Sequence, residues 1–103
     1  MKIARTIGTV TLARMHPAMR GARLRCVEEL TNIEKLEDSV YGGETIIAWD
    51  LCGSGVGDRV ALAEGPEAAQ PLHPDIVPID AAIVAVLDHV DIAPPSAASR
   101  QRP

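Results

Sequence analysis

The chain has 103 residues, with 10 Lys and Arg against 14 Asp and Glu, for a formal net charge of −4. That length holds one domain and excludes a two-domain enzyme with a closing cleft, while still allowing roughly two-thirds of the unfolded surface to be buried. The acidic sum argues against a duplex nucleic-acid binder, whose affinity comes from neutralising phosphates with a basic surface.

Apolar residues make up 47% of the chain, yet the aromatic ones are only Tyr41 and Trp49, and there is no Phe. The core is therefore aliphatic, drawn from nine Val, nine Ile and eight Leu. Val and Ile are β-branched and suit a pleated surface. Cys26 and Cys52 stand outside any C-x-x-C motif, and no secretory pattern opens the chain. Both points predict reduced thiols in the cytosol. No apolar run approaches the ~20 residues of a membrane span.

Residues 2–14 read as a strand: Ile3, Arg5 and Ile7 share one parity, Val10 and Leu12 the other. The phase flips at Gly8, which predicts a bulge or sharp bend. A connector containing His16-Pro17 ends near Gly21. Residues 22–30 alternate as a half-buried strand, with Leu24, Cys26 and Leu30 on one side, Arg23, Arg25 and Glu29 on the other, and Val27 and Glu28 breaking strict parity. Residues 31–43 are polar and acidic and end in Gly-Gly, which predicts a long decorated loop with at most one helical turn. Residues 44–52 form a third strand, Gly53–Asp58 a glycine-rich turn, and residues 59–63 a fourth strand stopped by Gly65-Pro66.

Four prolines between positions 66 and 80 predict a loop, with a short helical turn at 66–70. Residues 81–90 are the last apolar run and, by their Ile83-Val84-Val86 branching, a fifth strand. Residues 93–103 are rich in Pro, Ser and Ala and read as a disordered tail. Five strands with no βαβ period predict an all-β domain over residues 1–92. Its expected form is a small, antiparallel, partly closed barrel, OB-like in strand count.

The chemical motifs are sparse. Gly53, Gly55 and Gly57 have the look of a phosphate cradle, but a P-loop needs Lys-Ser/Thr and a helix after the glycines, and here Asp58-Arg59 and a strand follow. His16, His73 and His89 lack metal-ligand spacing. Cys26 alternates with leucines and reads as a small buried hydrophobe. No catalytic residue, metal site or cofactor is expected.

The charge distribution says more. All 14 acids lie at or beyond Glu28, while Lys2, Arg5, Arg14, Arg20, Arg23 and Arg25 precede it. Either neighbouring strands neutralise one another, or the body has a basic and an acidic side and closes head to tail into a ring. Small residues in the glycine turn would let several copies approach a symmetry axis. The competing reading is an OB-type module for single-stranded nucleic acid or a small ligand, for which the two aromatics are a thin stacking platform.

The order of motifs resembles a known family. Ile7-Gly8-Thr9-Val10 is followed by His16-Pro17, Arg20-Gly21 and Leu24. Asp50 precedes the Gly-x-Gly-x-Gly-Asp turn, and Pro78-x-Asp80-Ala81-Ala82-Ile83-Val84 precedes Asp88. Over residues 1–92 this succession resembles the bacterial microcompartment vertex proteins of the EutN/CcmL family, the carboxysome-related shell proteins. The chain departs from the family's frequent Gly-Ser-Ser-Ala-Arg after the fourth strand, reading Gly65-Pro66-Glu67-Ala68-Ala69-Gln70.

The resemblance implies an OB-like barrel assembling as a homopentamer that caps the vertices of a cytoplasmic protein shell, beside hexagonal tile proteins. It implies no catalysis, no nucleic acid and no membrane. It places Gly53, Ser54, Gly55, Val56 and Gly57 near the five-fold axis. The subunit or shell interface is expected at Arg14, His16, Arg20, Arg23 and Asp58.

Overall fold

The structure is a computed structural model and describes residues 1–30 and 41–91. The predicted loop, apart from its last residues, and the predicted tail beyond residue 91 lie outside the described residues. Five strands are present: β1 (Lys2–Val10), β2 (Leu24–Leu30), β3 (Tyr41–Asp50), β4 (Arg59–Glu64) and β5 (Ala81–Val86). A 3-10 turn at Pro17–Met19 interrupts the first connector, and a 3-10 helix at Gly65–Leu72 follows β4. The second occupies the place of the helical turn predicted at 66–70.

The strands close into a barrel in the order β1-β2-β3-β5-β4. Closure departs from the partly closed, wholly antiparallel expectation. β1 pairs antiparallel with both β2 and β4, and the seam is a short parallel pairing of β3 with β5 at Trp49↔Ala82 and Asp50↔Ile83. Parallel neighbours require a crossover, and β4 with residues 65–80 supplies it.

The phase flip at Gly8 is a register shift between Thr6 and Gly8 where β1 meets β2. The extra residue is Ile7, which is left 39% exposed, while Ala4 and Thr6 point inward. The barrel interior is Ala4, Val27, Ala48, Val60, Leu62, Ala81 and Ile83. Alanines on three of the five strands explain how so narrow a barrel closes without Phe, because small barrels alternate small and large inward residues.

The predicted parity of β2 is wrong in part. Leu24 and Val27 are buried and Cys26 is only partly so. Leu24 lies outside the barrel, under a second layer, so two buried residues of one strand serve different cores. Strand ends also differ: β1 stops at Val10 rather than 14, β3 starts at Tyr41 rather than 44, and β5 stops at Val86 rather than 90.

The second core is a row on the outer wall. Val10↔Leu24, Leu24↔Trp49 and Trp49↔Ala82 are successive cross-strand partners on β1, β2, β3 and β5. Met19 and Ala22 from the first connector, and Ala68, Leu72, Val77 and Ile79 from the segment after β4, pack against them. The two 3-10 segments are thus the lid of an apolar row, and Trp49 at 9% exposed is its largest member. Burying a side chain of that size is worth about 3 kcal/mol.

Candidate assembly site at the glycine turn

The turn between β3 and β4 is organised from within. Asp50 closes β3 with a side chain that is fully buried. Its Oδ1 accepts the N–H groups of Cys52 (3.0 Å) and Gly53 (2.9 Å), and its Oδ2 accepts the Ser54 N–H at 2.7 Å. The Ser54 hydroxyl donates to the same oxygen at 3.2 Å. It thereby serves as acceptor for the Thr6 hydroxyl at 3.0 Å, since one hydroxyl has one proton to give. The Arg25 Nε lies 3.3 Å from Asp50 Oδ2 and donates to the Ser54 carbonyl at 3.1 Å. A buried carboxylate needs this many donors to offset its lost hydration.

The far side of the turn is closed by Asp58, whose Oδ2 accepts the Gly55 N–H at 2.7 Å. The Thr6 N–H donates to the Asp58 carbonyl at 3.0 Å and the Gly57 N–H to the Thr6 carbonyl at 2.8 Å, so the turn extends the β1–β4 ladder beyond Arg5↔Arg59. Gly53 and Gly57 have φ of +80° and +93°, a region where a Cβ clashes with the backbone. Ser54 is buried, and Val56 at the tip is 70% exposed.

This bonding answers the phosphate question. The N–H groups of Gly53, Ser54, Gly55 and Gly57 are all given to Asp50, Asp58 or Thr6. A phosphate cradle needs such donors free and aimed outward, and these are not. Trp49 lies under the 3-10 lid, so the larger of the two aromatics is no stacking surface for a base. Among the described residues no group of His, Cys, Asp and Glu is placed to hold a metal, and no helix is long and apolar enough to cross a membrane.

The charges separate into two sets. Lys2 pairs with Glu29 (2.7 Å) and Glu64 (3.2 Å), Arg5 with Glu28 (3.0 Å), and Arg25 with Asp50. Glu29, then Glu64, raises the Lys2 pKa above its ordinary 10.5. Half of the basic N-terminal set is therefore neutralised across strands. Arg14, Arg20 and Arg23 make no ion pair among the described residues; all three are exposed on the connector, as is His16. His16 accepts the Ala18 N–H through Nδ1 at 3.0 Å and caps the 3-10 turn. The Arg23 carbonyl accepts the Asp50 N–H at 2.7 Å, which fixes the end of the connector to the root of the glycine turn. Of the expected interface residues, Asp58 thus stands within the turn and the other four on the connector. The role of Asp50 was missed in the sequence, although an Asp directly before a glycine-rich turn is a signal for such capping.

The chain is thus a closed five-stranded barrel whose glycine turn is bonded to its own carboxylates. The family model for "Ethanolamine utilisation protein EutN/carboxysome" matches residues 1–88, and the chain belongs to that EutN/CcmL family. It is 34% identical over 88% of its length, and 97% of the relative's, to the bacterial microcompartment shell vertex protein GrpN of Rhodospirillum rubrum (strain F11). It is 32% identical to the carboxysome shell vertex protein CcmL of Thermosynechococcus vestitus (strain NIES-2133 / IAM M-273 / BP-1), over 87% of this chain and 86% of that one. The solved structure of the pentameric shell protein GrpN from Rhodospirillum rubrum superposes with a TM-score of 0.75 at 31% identity, covering 90% of this chain and 99% of that one.

Proposed function

We infer that this chain is a structural shell protein that forms pentamers and caps the vertices of a bacterial microcompartment in the cytoplasm. The observation that carries this reading is the match of the whole barrel to vertex proteins, including GrpN, whose structure is pentameric. The chain acts as a scaffold and not as an enzyme. Its partners in the shell are hexagonal tile proteins, since flat hexagonal tiling closes into a polyhedron only where five-fold points are inserted. The vertex domain is residues 1–92.

Within the ring, Gly53, Ser54, Gly55, Val56 and Gly57 stand nearest the five-fold axis. Support comes from a turn that is rigidly bonded to its own barrel and carries little side-chain bulk. Arg14, His16, Arg20, Arg23 and Asp58 face an adjacent subunit or a tile. Three exposed arginines that make no ion pair among the described residues, on a chain of net charge −4, favour that placement.

Co-assembly with purified hexagonal tile proteins, viewed by electron microscopy, tests the function. Tiles alone should give sheets or tubes, and tiles with this chain should give closed polyhedra. Sheets and tubes in both samples would overturn the vertex role.

A further inference from the structure

The outer wall of the barrel carries two apolar rows, and described residues of the chain cover one of them. The row Val10–Leu24–Trp49–Ala82 lies under the 3-10 segments. One turn of the pleat away, Gly8↔Cys26 and Cys26↔Ile47 are cross-strand partners on β1, β2 and β3. Their neighbours Thr6↔Val27 and Val27↔Ile46 point into the barrel, so alternation sends this second row outward. The bulged Ile7 joins it. Ile7 is 39% and Ile47 48% exposed, and they flank the half-buried Cys26 with the flat surface of Gly8 between.

We propose that this stripe, Ile7–Cys26–Ile47, is the face of the barrel that a second copy of the chain covers in the pentameric ring. The inference rests on the pentameric reading and adds the surface on which it is built. Continuity with the axis turn favours a second copy as the occupant. Ile7 follows Thr6, whose N–H and carbonyl are bonded to Asp58 and Gly57, so the stripe begins beside the glycine turn and runs away from it across three strands. GrpN, a relative of the same fold, is pentameric, and each subunit of a closed ring presents a side wall to its neighbour.

Charge points the same way. Arg14, Arg20 and Arg23 on the connector, and Glu44, Asp88 and Asp91 elsewhere, are exposed and make no ion pair among the described residues. A surface with both unpaired signs complements a rotated copy of itself, and a ring uses two different patches per subunit. The absence of a side chain at Gly8 lets that copy approach the β1 backbone closely.

The test is native mass spectrometry of the full chain and of three variants, with circular dichroism to confirm the barrel. Ile47→Glu should give folded monomer where the unaltered chain gives pentamer. Ile47→Thr keeps a β-branched residue in the strand, and should raise the concentration at which rings dissociate by about tenfold or more, as expected for apolar area lost at every junction. It keeps the test open should the Glu variant fail to fold. Glu67→Gln alters an exposed residue of the 3-10 helix after β4, outside both the stripe and the connector, and should leave the ring intact.

A pentamer in the unaltered chain that persists unchanged in both Ile47 variants would overturn this inference and leave the pentameric reading standing. Rings that persist in the Ile47 variants while binding to tiles is lost would assign the stripe to a tile, and would also overturn it. A monomer in the unaltered chain would instead remove the reading on which the inference rests.

Discussion

Asp50 and Ser54 are bonded twice: one carboxylate oxygen accepts both the N–H and the hydroxyl of Ser54, at 2.7 and 3.2 Å. The residues are four apart, and the contact folds the glycine turn back on the end of β3. Removing the carboxylate leaves the N–H groups of Cys52, Gly53 and Ser54 and the Arg25 guanidinium short of an acceptor. Asp50→Ala should therefore destabilise the protomer by about 3–5 kcal/mol, the range for breaking a buried charged network. Urea denaturation of a monomeric background would measure it. A loss below about 1 kcal/mol would show that the turn holds its shape without this carboxylate.

Glycines in the turn should separate backbone strain from crowding at the axis. Gly53 and Gly57, at φ of +80° and +93°, should each lose about 1 kcal/mol on replacement by Ala. Gly55 has ordinary φ, and an added Cβ would sit 3.7 Å from Asp58 Oδ2, an ordinary contact. Gly55→Ala should leave protomer stability within about 0.5 kcal/mol. A bulkier Gly55→Leu that reduces the pentamer fraction without lowering the melting temperature would place this residue at the ring centre. An intact pentamer with Gly55→Leu would move the axis elsewhere.

Arg20 and Arg23 are exposed and make no ion pair among the described residues, so their charge is free to act between molecules. The double variant Arg20→Glu, Arg23→Glu should weaken assembly, with a larger effect at low salt than near 1 M, where the screening length falls to about 3 Å. Ring mass and shell incorporation, each followed at two ionic strengths, read this out. Unchanged values at both would remove the connector from the interface.

Lys2 supplies a pH dependence. Its folded pKa is raised above 10.5 by Glu29 and then Glu64, so the stabilisation is fully present below 10.5 and is lost as pH rises through the folded value. Lys2 is exposed, and solvent screening keeps the effect small. Lys2→Met should flatten this alkaline arm of the melting curve and leave the neutral region little altered. An equal alkaline loss in both proteins would assign the arm to other groups.

Much of the barrel was legible in the sequence because strands announce themselves by alternation. The flip at Gly8 is the bulge, and the glycine-rich turn expected after Asp50 is present, with positive φ at Gly53 and Gly57. The parity of β2 was not legible. Val27 faces the interior and Leu24 an outer row, and a strand flanked by two cores has no single polar face to read. The parallel β3–β5 seam was equally hidden, since the pairing of strands distant in sequence leaves no local pattern. The charge split in the sequence allowed either neutralisation between neighbouring strands or two sides of a body. In the fold, Lys2, Arg5 and Arg25 are neutralised by β2, β4 and Asp50, and Arg20 lines one groove with Asp75. Which cations remain for a partner depended on register, which composition does not contain.

The central claim is a ring of five, and native mass spectrometry of the purified full chain tests it most directly. The account predicts one dominant species at five times the 10.9 kDa protomer mass at micromolar concentration. A monomer at every concentration, or an even-numbered assembly built on a two-fold interface, would contradict it.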